Sequence, residues 1–182
     1  MTRISPIDPA AAQPAAKALL DGVQKKLGAT PNMMRVMATN PSVLAAYLGF
    51  AGALSGGLLG AKLHEQIALA VAQANGCDYC LAAHSLLGTG AGLSAADIAA
   101  ARAGTPFDAR TAGIVALTRR LVETHGRATD ADIAAARTAS VSDAEILEVI
   151  AAVALNVFTN YLNLTADTEL DFPPAAKLAH AA

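Results

Sequence analysis

Apolar residues recur along this chain at intervals of three and four positions, which is the spacing of one face of an α-helix. In residues 14–27, for example, Leu20, Val23 and Leu27 share a face, and Gly28 follows as a helix stop. Runs of β-branched residues with the alternating pattern of a strand hardly occur. The pattern therefore predicts an all-α protein, a compact helical bundle.

Glycines, prolines and capping residues divide the rest of the chain into further helices. A methionine-rich segment between Pro31 and Pro41 is expected to pack in the core. The longest helix begins at about Asp143, and residues from about 166 to 182 follow as an irregular arm. The other helices are predicted at 42 to about 55, 62–75, 77–88, 95–103 and 108–125, and a short one is predicted between Thr129 and the longest helix.

Residues 41–61 carry no charge, and glycines repeat at every fourth position from Gly52, as in packed membrane helices. A membrane span would need one helix through the Ser-Gly-Gly sequence at 55–57, which favours a break instead. No basic segment flanks the stretch. We therefore expect a buried helix that ends near Ser55, and no membrane association.

Composition narrows the function classes. Hydrophobic residues make up 54% of the chain and aromatic residues only 4%, and much of the apolar content is alanine, which suits closely packed helices. The net charge is −2 and the basic residues are scattered, which argues against nucleic-acid binding. Since only 15% of residues are charged, a monomer would cover its helices poorly, and we expect a homo-oligomer.

The chain length suits a single domain over residues 1–182. The first residues lack the continuous apolar segment of a signal peptide, which favours a cytoplasmic location. Structural disulfides are unusual in the cytoplasm. This weakens the interpretation of Cys77 and Cys80 as a structural disulfide.

The stretch GCDYCLAAH, residues 76–84, holds both cysteines of the chain. If a helix begins at Asp78, Cys77 lies near its N-cap, and Cys80 and His84 are neighbours one turn apart. The imidazole can then take the Cys80 proton, while the helix N-terminus favours a negative sulfur at Cys77. We expect Cys77 to be the more exposed thiol, because it lies nearer the helix end.

Glu65 is the candidate third member of this site. On a helical projection it lies about 60° from a polar stripe that includes Gln66 and Gln73, in a lane of small apolar residues where a carboxylate needs a partner. If the chain reverses after Asn75, Glu65 and His84 lie at similar depth on facing helices. Glu65 would then orient His84 and stabilise its protonated form.

Two other interpretations of these residues stay open. The two thiolates, the His84 imidazole and the Glu65 carboxylate are four plausible zinc ligands, although the usual second pair of Cys or His ligands is missing. Alternatively, the cysteines are buried structural residues and His84 is a capping side chain. The remaining histidines, His64, His125 and His180, are expected at surface or satisfied positions without a role.

A weaker pattern suggests a duplicated helical unit. The segments KLHEQIALAVAQANGCDYC and DAEILEVIAAVALNVFTNY both begin with acidic residues and continue as apolar runs. Superposing Glu65 on Glu145 places Val157 and Asn160 at the two cysteine positions. If the chain is duplicated, only the first copy kept the chemistry.

The segment HEQIALAVAQANGCDYCLAAH resembles the core motif of the carboxymuconolactone decarboxylase superfamily, and more closely that of its alkylhydroperoxidase D-like, peroxidase-related branch. This core motif spans residues 62–90. LGATPNMMRVMATNP and NYLNLTADTELDFP are also similar to that branch, so the resemblance covers most of the chain. It implies an all-helical fold and a homo-oligomer, often a trimer or hexamer.

The resemblance further implies reduction of hydroperoxides without a cofactor, with electrons returned by a dithiol partner. Carried over to this chain, Cys80 would be the peroxidatic cysteine and Cys77 its disulfide partner. Glu65 and His84 would relay protons. The founding members have a histidine immediately before the second cysteine, where this chain has Tyr79, so Tyr79 or water is expected in that gap.

Three function classes remain. The first is a disulfide-cycling peroxidase or a related antioxidant oxidoreductase. The second is a lactone decarboxylase, against which the paired cysteines argue, because the true decarboxylases of the superfamily lack them. The third is a redox-sensing or structural module in which the thiol pair does not turn over.

Overall fold

The computed structural model describes residues 2–105 and 108–178. Within these ranges it contains no strand, and one turn of 3-10 helix, Pro9–Ala11, precedes nine α-helices. The all-α fold expected from the sequence is therefore confirmed. In chain order the helices are α1 (Pro14–Leu27), α2 (Asn32–Met37), α3 (Pro41–Leu54), α4 (Gly60–Asn75), α5 (Asp78–Gly90), α6 (Ala95–Ala103), α7 (Ala109–Glu123), α8 (Asp130–Thr138) and α9 (Asp143–Ala166).

The helix ends follow local sequence signals. Ser94, Thr129 and Ser142 each form a capping box at the start of α6, α8 and α9, in which the side chains of residues N-cap and N3 bond each other's backbone. α3 ends at Leu54, so the expected end near Ser55 is confirmed. Its 14 residues are fewer than the ~20 that a membrane span needs.

α4 lies at the centre of the bundle and packs against α5, α6, α7 and α9. Two large clusters of buried side chains flank it, one joining α4, α7 and α9. The other lies between α1, α2 and α5 and includes Met33, Met34, Met37 and both cysteines. The predicted core position of the methionines is therefore confirmed, and the cysteine turn lies inside the core.

α9 is the longest helix, with 24 residues, and it continues without the break that separates α4 from α5 at Gly76. It is also the one helix among the described residues that is long and apolar enough to cross a membrane, but 44% of its most apolar window is buried. Such burial is common in the core helix of a bundle. The buried face of α9 nevertheless carries three asparagines, Asn156, Asn160 and Asn163.

An irregular arm follows α9, as expected, and the structure describes it as far as residue 178. Asp171 Oδ2 accepts a hydrogen bond from the backbone N–H of Asn32 at 2.5 Å. Further along, the Ala176 carbonyl accepts one from the buried guanidinium of Arg102 at 2.6 Å. These two contacts fix the arm to α2 and α6.

Glu148 on α9 binds the backbone that precedes α4. Its carboxylate accepts hydrogen bonds from the backbone N–H groups of Leu58 and Leu59 at 2.6 and 3.2 Å and pairs with His64 Nε2 at 2.9 Å. Burial alone would raise the pKa of Glu148, but these hydrogen bonds outweigh it and lower the pKa. His64 is therefore a satisfied residue, as expected.

Replacing Glu148 by glutamine is expected to reduce the free energy of unfolding by about 1–3 kcal/mol, because the donors around it lose a charged acceptor. Thermal unfolding followed by circular dichroism measures this, at about 2–4 °C per kcal/mol for a chain of this size. Glu123→Gln is the matched control, because Glu123 is exposed and lies 3.9 Å from its partner Arg119. An equal loss of Tm in both variants would contradict the role assigned to Glu148.

Candidate active site

Cys77 lies between α4 and α5, and Cys80 lies in the first turn of α5. α4 ends because Gly76 adopts a left-handed conformation with φ of +65°, which glycine tolerates without strain. Cys77 is then the N-cap of α5, and its sulfur accepts a hydrogen bond from the backbone N–H of Cys80 at 3.4 Å. The expected helix start at Asp78 is confirmed, and the N-cap contact holds the two cysteines together.

The two thiols are free and both are buried, with 1% of Cys77 and 2% of Cys80 exposed. The expectation that Cys77 would be the more exposed thiol is therefore wrong. Its side chain turns back towards the first turn of α5 to cap the Cys80 amide, and that turn packs among residues of α1 and α2. Proximity to a helix end does not expose a residue when the end itself is buried.

Glu65 on α4 and His84 on α5 meet as predicted. Glu65 Oε2 accepts a hydrogen bond from His84 Nδ1 at 2.8 Å, and the two side chains are 18% and 21% exposed. Gln66, in contrast, is buried rather than part of a solvated stripe, because α4 is packed against four other helices. The carboxylate thus fixes one nitrogen of the imidazole ring, and the partial exposure of both groups gives the pair contact with solvent.

The pKa values of the two thiols move in opposite directions. The hydrogen bond with the Cys77 thiol has the strongest effect on the pKa of Cys80, and it lowers that pKa. Burial acts in the opposite direction. Hydrogen bonds from Asn163, Asn160 and Thr159 lower the pKa further. The hydrogen bond between the two thiols, together with burial, raises the pKa of Cys77. Cys80 is therefore the more acidic of the two thiols.

Asn163 on α9 makes the direct contact that the sequence assigned to His84. Its Nδ2 donates to Cys80 Sγ at 3.3 Å, and the residue is 3% exposed. Within the described part of the chain, no hydrogen bond joins Cys80 to His84. The charge of His84 acts instead on Cys77, where it offsets part of the rise in pKa that the Cys80 contact and burial cause. The i, i+4 spacing therefore places Cys80 and His84 on the same face of α5, but the two side chains are not hydrogen-bonded to each other.

Tyr79, between the cysteines, does not fill the gap in the relay. Its hydroxyl accepts a hydrogen bond from the backbone N–H of Met33 at 3.2 Å. Its ring packs edge-on against Phe172 of the arm, with centroids 5.5 Å apart. Tyr79 is buried, and burial raises its pKa. Its hydroxyl is therefore engaged by α2 rather than by the Glu65–His84 pair.

Two groups near Cys80 were missed in the sequence. Burial raises the pKa of Tyr47 on α3 to about 12, and the negative charges of Cys80 and Glu65 contribute, so this phenol lies near both. No local pattern around Tyr47 points to the site, because only the fold brings α3 there. The buried asparagines of α9 did carry a signal, since they recur at intervals of four and three on an otherwise apolar helix.

The zinc interpretation finds no geometric support. Across residues 2–105 and 108–178, no group of three or more His, Cys, Asp and Glu side chains is arranged to hold a metal ion. Glu65 uses a ring nitrogen of His84 as its partner instead. Of the remaining histidines, His125 is exposed at the end of α7, and His180 lies outside the described residues.

Residues 41–123 match the family described as the carboxymuconolactone decarboxylase family. This segment runs from α3 to α7 and contains Cys77, Cys80, Glu65 and His84. It is a little under half of the chain. No curated protein is significantly similar to the chain in sequence.

Solved structures share the fold over nearly the whole chain. The alkylhydroperoxidase AhpD core of an uncharacterized peroxidase-related protein from Ralstonia eutropha JMP134 has a TM-score of 0.84 and 20% identity, covering 93% of this chain and 92% of that one. An uncharacterized peroxidase-related protein from Silicibacter sp. TM1040 has a TM-score of 0.79 and 21% identity, covering 96% and 94%.

A third structure is the debrominase Bmp8, as a cysteine-to-alanine variant in complex with 2,3,4-tribromopyrrole. Its TM-score is 0.80 at 20% identity, with 94% of this chain and 92% of that chain covered. These structures share the all-helical architecture of this chain. Residues 41–123 thus match the carboxymuconolactone decarboxylase family, and the chain as a whole has the fold of the alkylhydroperoxidase AhpD core.

Proposed function

We propose that this protein is a thiol-dependent peroxidase that reduces hydroperoxides through a dithiol–disulfide cycle of Cys77 and Cys80. The observation that carries the proposal is the asymmetry of the two buried thiols: Cys80 Sγ accepts a hydrogen bond from the buried amide of Asn163 and has a lowered pKa, whereas the pKa of Cys77 is raised. The thiolate is the nucleophilic form of cysteine. The hydrogen-bonded Glu65–His84 pair lies one turn away and can exchange a proton with solvent.

The first half-reaction oxidises Cys80. Its thiolate attacks the outer oxygen of the hydroperoxide, so an S–O bond forms and the O–O bond breaks. The electron pair leaves on the alkoxide, which takes a proton from His84 and departs as an alcohol. Glu65 holds the His84 ring and stabilises its protonated form. Cys80 is left as a sulfenic acid.

The second half-reaction restores the thiols. The Cys77 sulfur attacks the Cys80 sulfur, an S–S bond forms, and the oxygen leaves with the Cys77 proton as water. An external dithiol then reduces the disulfide by exchange and is itself oxidised to a disulfide. The net reaction converts one hydroperoxide and one dithiol into an alcohol, water and a disulfide. A compartment that keeps thiols reduced, such as the cytoplasm, suits this cycle.

Consumption of hydrogen peroxide and of an organic hydroperoxide, with dithiothreitol or dihydrolipoamide as donor, tests the proposal. We expect turnover in the wild type and none in a Cys77→Ser/Cys80→Ser double variant. Metal analysis of the same preparation checks that activity does not follow bound zinc. A wild-type rate no higher than that of the double variant with every donor would refute the peroxidase function.

Reductive dehalogenation is a second candidate, favoured by the fold shared with the debrominase over 94% of this chain. The same two thiols would supply its electrons: a bromoarene and two thiols give the arene, hydrogen bromide and a disulfide. Bromide release from 2,3,4-tribromopyrrole with a dithiol donor measures it. If neither peroxide nor the bromopyrrole is consumed although the thiol pair cycles, the redox-sensing interpretation is favoured over both enzymes.

We also propose a homo-oligomer, a trimer or hexamer, with α9 in its interface. Large apolar side chains remain exposed along this helix, and they recur at helical intervals on one side of it. An exposed apolar row of this kind is most simply buried by contact with another copy of the same chain. Its members are Leu147, Ile150, Phe158, Tyr161 and Leu164.

Light scattering is expected to give a multiple of the 18.3 kDa chain mass at micromolar concentration. Replacing Leu147 and Tyr161 together by glutamate should lower that mass, because charges at an apolar interface lose their solvation. Leu27→Glu, which changes an exposed leucine at the end of α1, is the matched control. An 18.3 kDa wild type, or an unchanged mass in the double variant, would contradict this interface.

A further inference from the structure

We propose that Asn163 and Asn160 of α9 form an amide pocket that holds the negative sulfur of Cys80, with Asn163 as the principal donor and Asn160 as the second. This inference rests on the proposed thiol chemistry and adds two residues to it from a helix that the α4–α5 motif does not include. The pocket is a site for an anionic sulfur, built from neutral donors.

The two amides are buried and oriented by the structure. Asn160 is 0% exposed and Asn163 is 3% exposed. Asn160 Oδ1 accepts a hydrogen bond from Asn75 Nδ2 at 3.0 Å, at the end of α4. This bond fixes the Asn160 amide, so that its Nδ2 donor is the end that stays free. Asn160 is also one of the groups that lower the pKa of Cys80, as expected if this free donor serves the sulfur.

The amide of Asn163 is oriented with its N–H group towards the sulfur. Its Nδ2 donates to Cys80 Sγ at 3.3 Å, while its Oδ1 is buried with no hydrogen-bond partner among the described residues. A buried acceptor without a partner is unfavourable. The amide keeps this orientation because a charged acceptor strengthens a hydrogen bond well beyond a neutral one. The proposed thiolate at Cys80 would offset the cost of leaving this oxygen unpaired.

Neutral amides suit this role, because they donate at every pH at which the protein is folded. The sulfur therefore does not depend on the charge of His84, and His84 stays available to protonate the departing oxygen. Titratable groups around the sulfur come from three elements besides α9. They are Cys77, Tyr79 and His84 on the α5 side, Glu65 on α4 and Tyr47 on α3.

The test is the pH dependence of Cys80 alkylation by iodoacetamide, with fragment-ion mass spectrometry to separate Cys80 from Cys77. Asn163→Leu removes the donor and keeps a similar volume. Asn160→Leu removes the second donor. Asn156→Leu is the matched control, because Asn156 is a buried asparagine of the same helix whose amide donates to the Ala152 carbonyl and not to a sulfur.

We expect Asn163→Leu to raise the apparent pKa of Cys80 by about one unit or more, which is about a tenfold decrease in the acid dissociation constant of this thiol. Asn160→Leu should raise the pKa less, and Asn156→Leu should leave it unchanged. If Asn163→Leu does not fold, Asn163→Asp keeps the size and should raise the pKa further, because a carboxylate repels the thiolate.

Equal shifts in the Asn163→Leu and Asn156→Leu variants, or no shift in either Asn163 variant, would overturn the proposal. Alkylation needs no hydroperoxide, so the two proposals fail separately. If the variants show the predicted order of Cys80 pKa values but the wild type does not consume peroxide, the peroxidase function is refuted and the amide pocket is supported. If the wild type consumes peroxide but Asn163→Leu leaves the apparent pKa of Cys80 unchanged, the amide pocket is refuted and the peroxidase function is supported.

Discussion

Replacing Cys80 by serine is expected to abolish peroxide turnover, whereas replacing Cys77 by serine should stop the cycle after one oxidation. Cys80 has the lowered pKa because the Cys77 thiol and the α9 amides donate to it. In Cys77→Ser the serine hydroxyl can still donate, so Cys80 keeps its charge and reacts once. The sulfenic acid then has no second thiol to form a disulfide.

Stoichiometric peroxide and a sulfenic-acid trap such as dimedone distinguish the two variants by mass spectrometry. Adduct on Cys80 in Cys77→Ser, and none on Cys77 in Cys80→Ser, is the expected pattern. The rate of trapping should rise with pH and level off below about pH 8.5, the ordinary pKa of a thiol, because the pKa of Cys80 is lowered. Adduct on Cys77 instead would make the helix N-terminus the dominant activator.

Glu65→Gln is expected to slow peroxide reduction about a hundredfold, the lower end of what a positioned acid or base contributes. An amide can still accept the hydrogen bond from His84 Nδ1, but it brings no charge to stabilise the imidazolium. The protein should stay folded, because both side chains are partly exposed. Steady-state peroxide consumption and thermal unfolding, measured on the same preparations, separate the two effects.

Glu123→Gln again serves as the control, since it removes an exposed carboxylate from the end of α7. An unchanged rate in Glu65→Gln would remove Glu65 from the mechanism. A rate loss that follows a matching loss of Tm would assign Glu65 to the fold instead. Alkylation of Cys80 should change little, because its sulfur is bonded by Asn163 and its pKa is lowered by Cys77 and by residues of α9 rather than by His84.

The parts of the site that could be predicted from sequence are those decided by short-range geometry. Gly76 ends one helix and Cys77 caps the next, and both are local events. Once the chain reverses there, the rise per residue places Glu65 opposite His84 without knowledge of any other helix. Helix starts at capping boxes were predictable for the same reason.

The remaining features depend on helices that are distant in sequence. Cys77 is buried because residues of α1 and α2 pack against the start of α5, and Gln66 is buried because α4 lies at the centre of the bundle. The contact of Asn163 with Cys80 needs the register of α9 against α5, which no local pattern determines. A polar stripe on α9 was visible in the sequence, but its partner was not.

The position of Tyr79 has a consequence for how related sequences should vary. Its ring contacts Phe172 and its hydroxyl bonds α2, so the residue between the cysteines and the arm after α9 share one packing arrangement. A histidine at position 79 would be smaller and could not fill the same space. We therefore expect substitutions at positions 79 and 172 to be correlated across descendants of a common ancestor, with an aromatic residue at 172 accompanying tyrosine at 79.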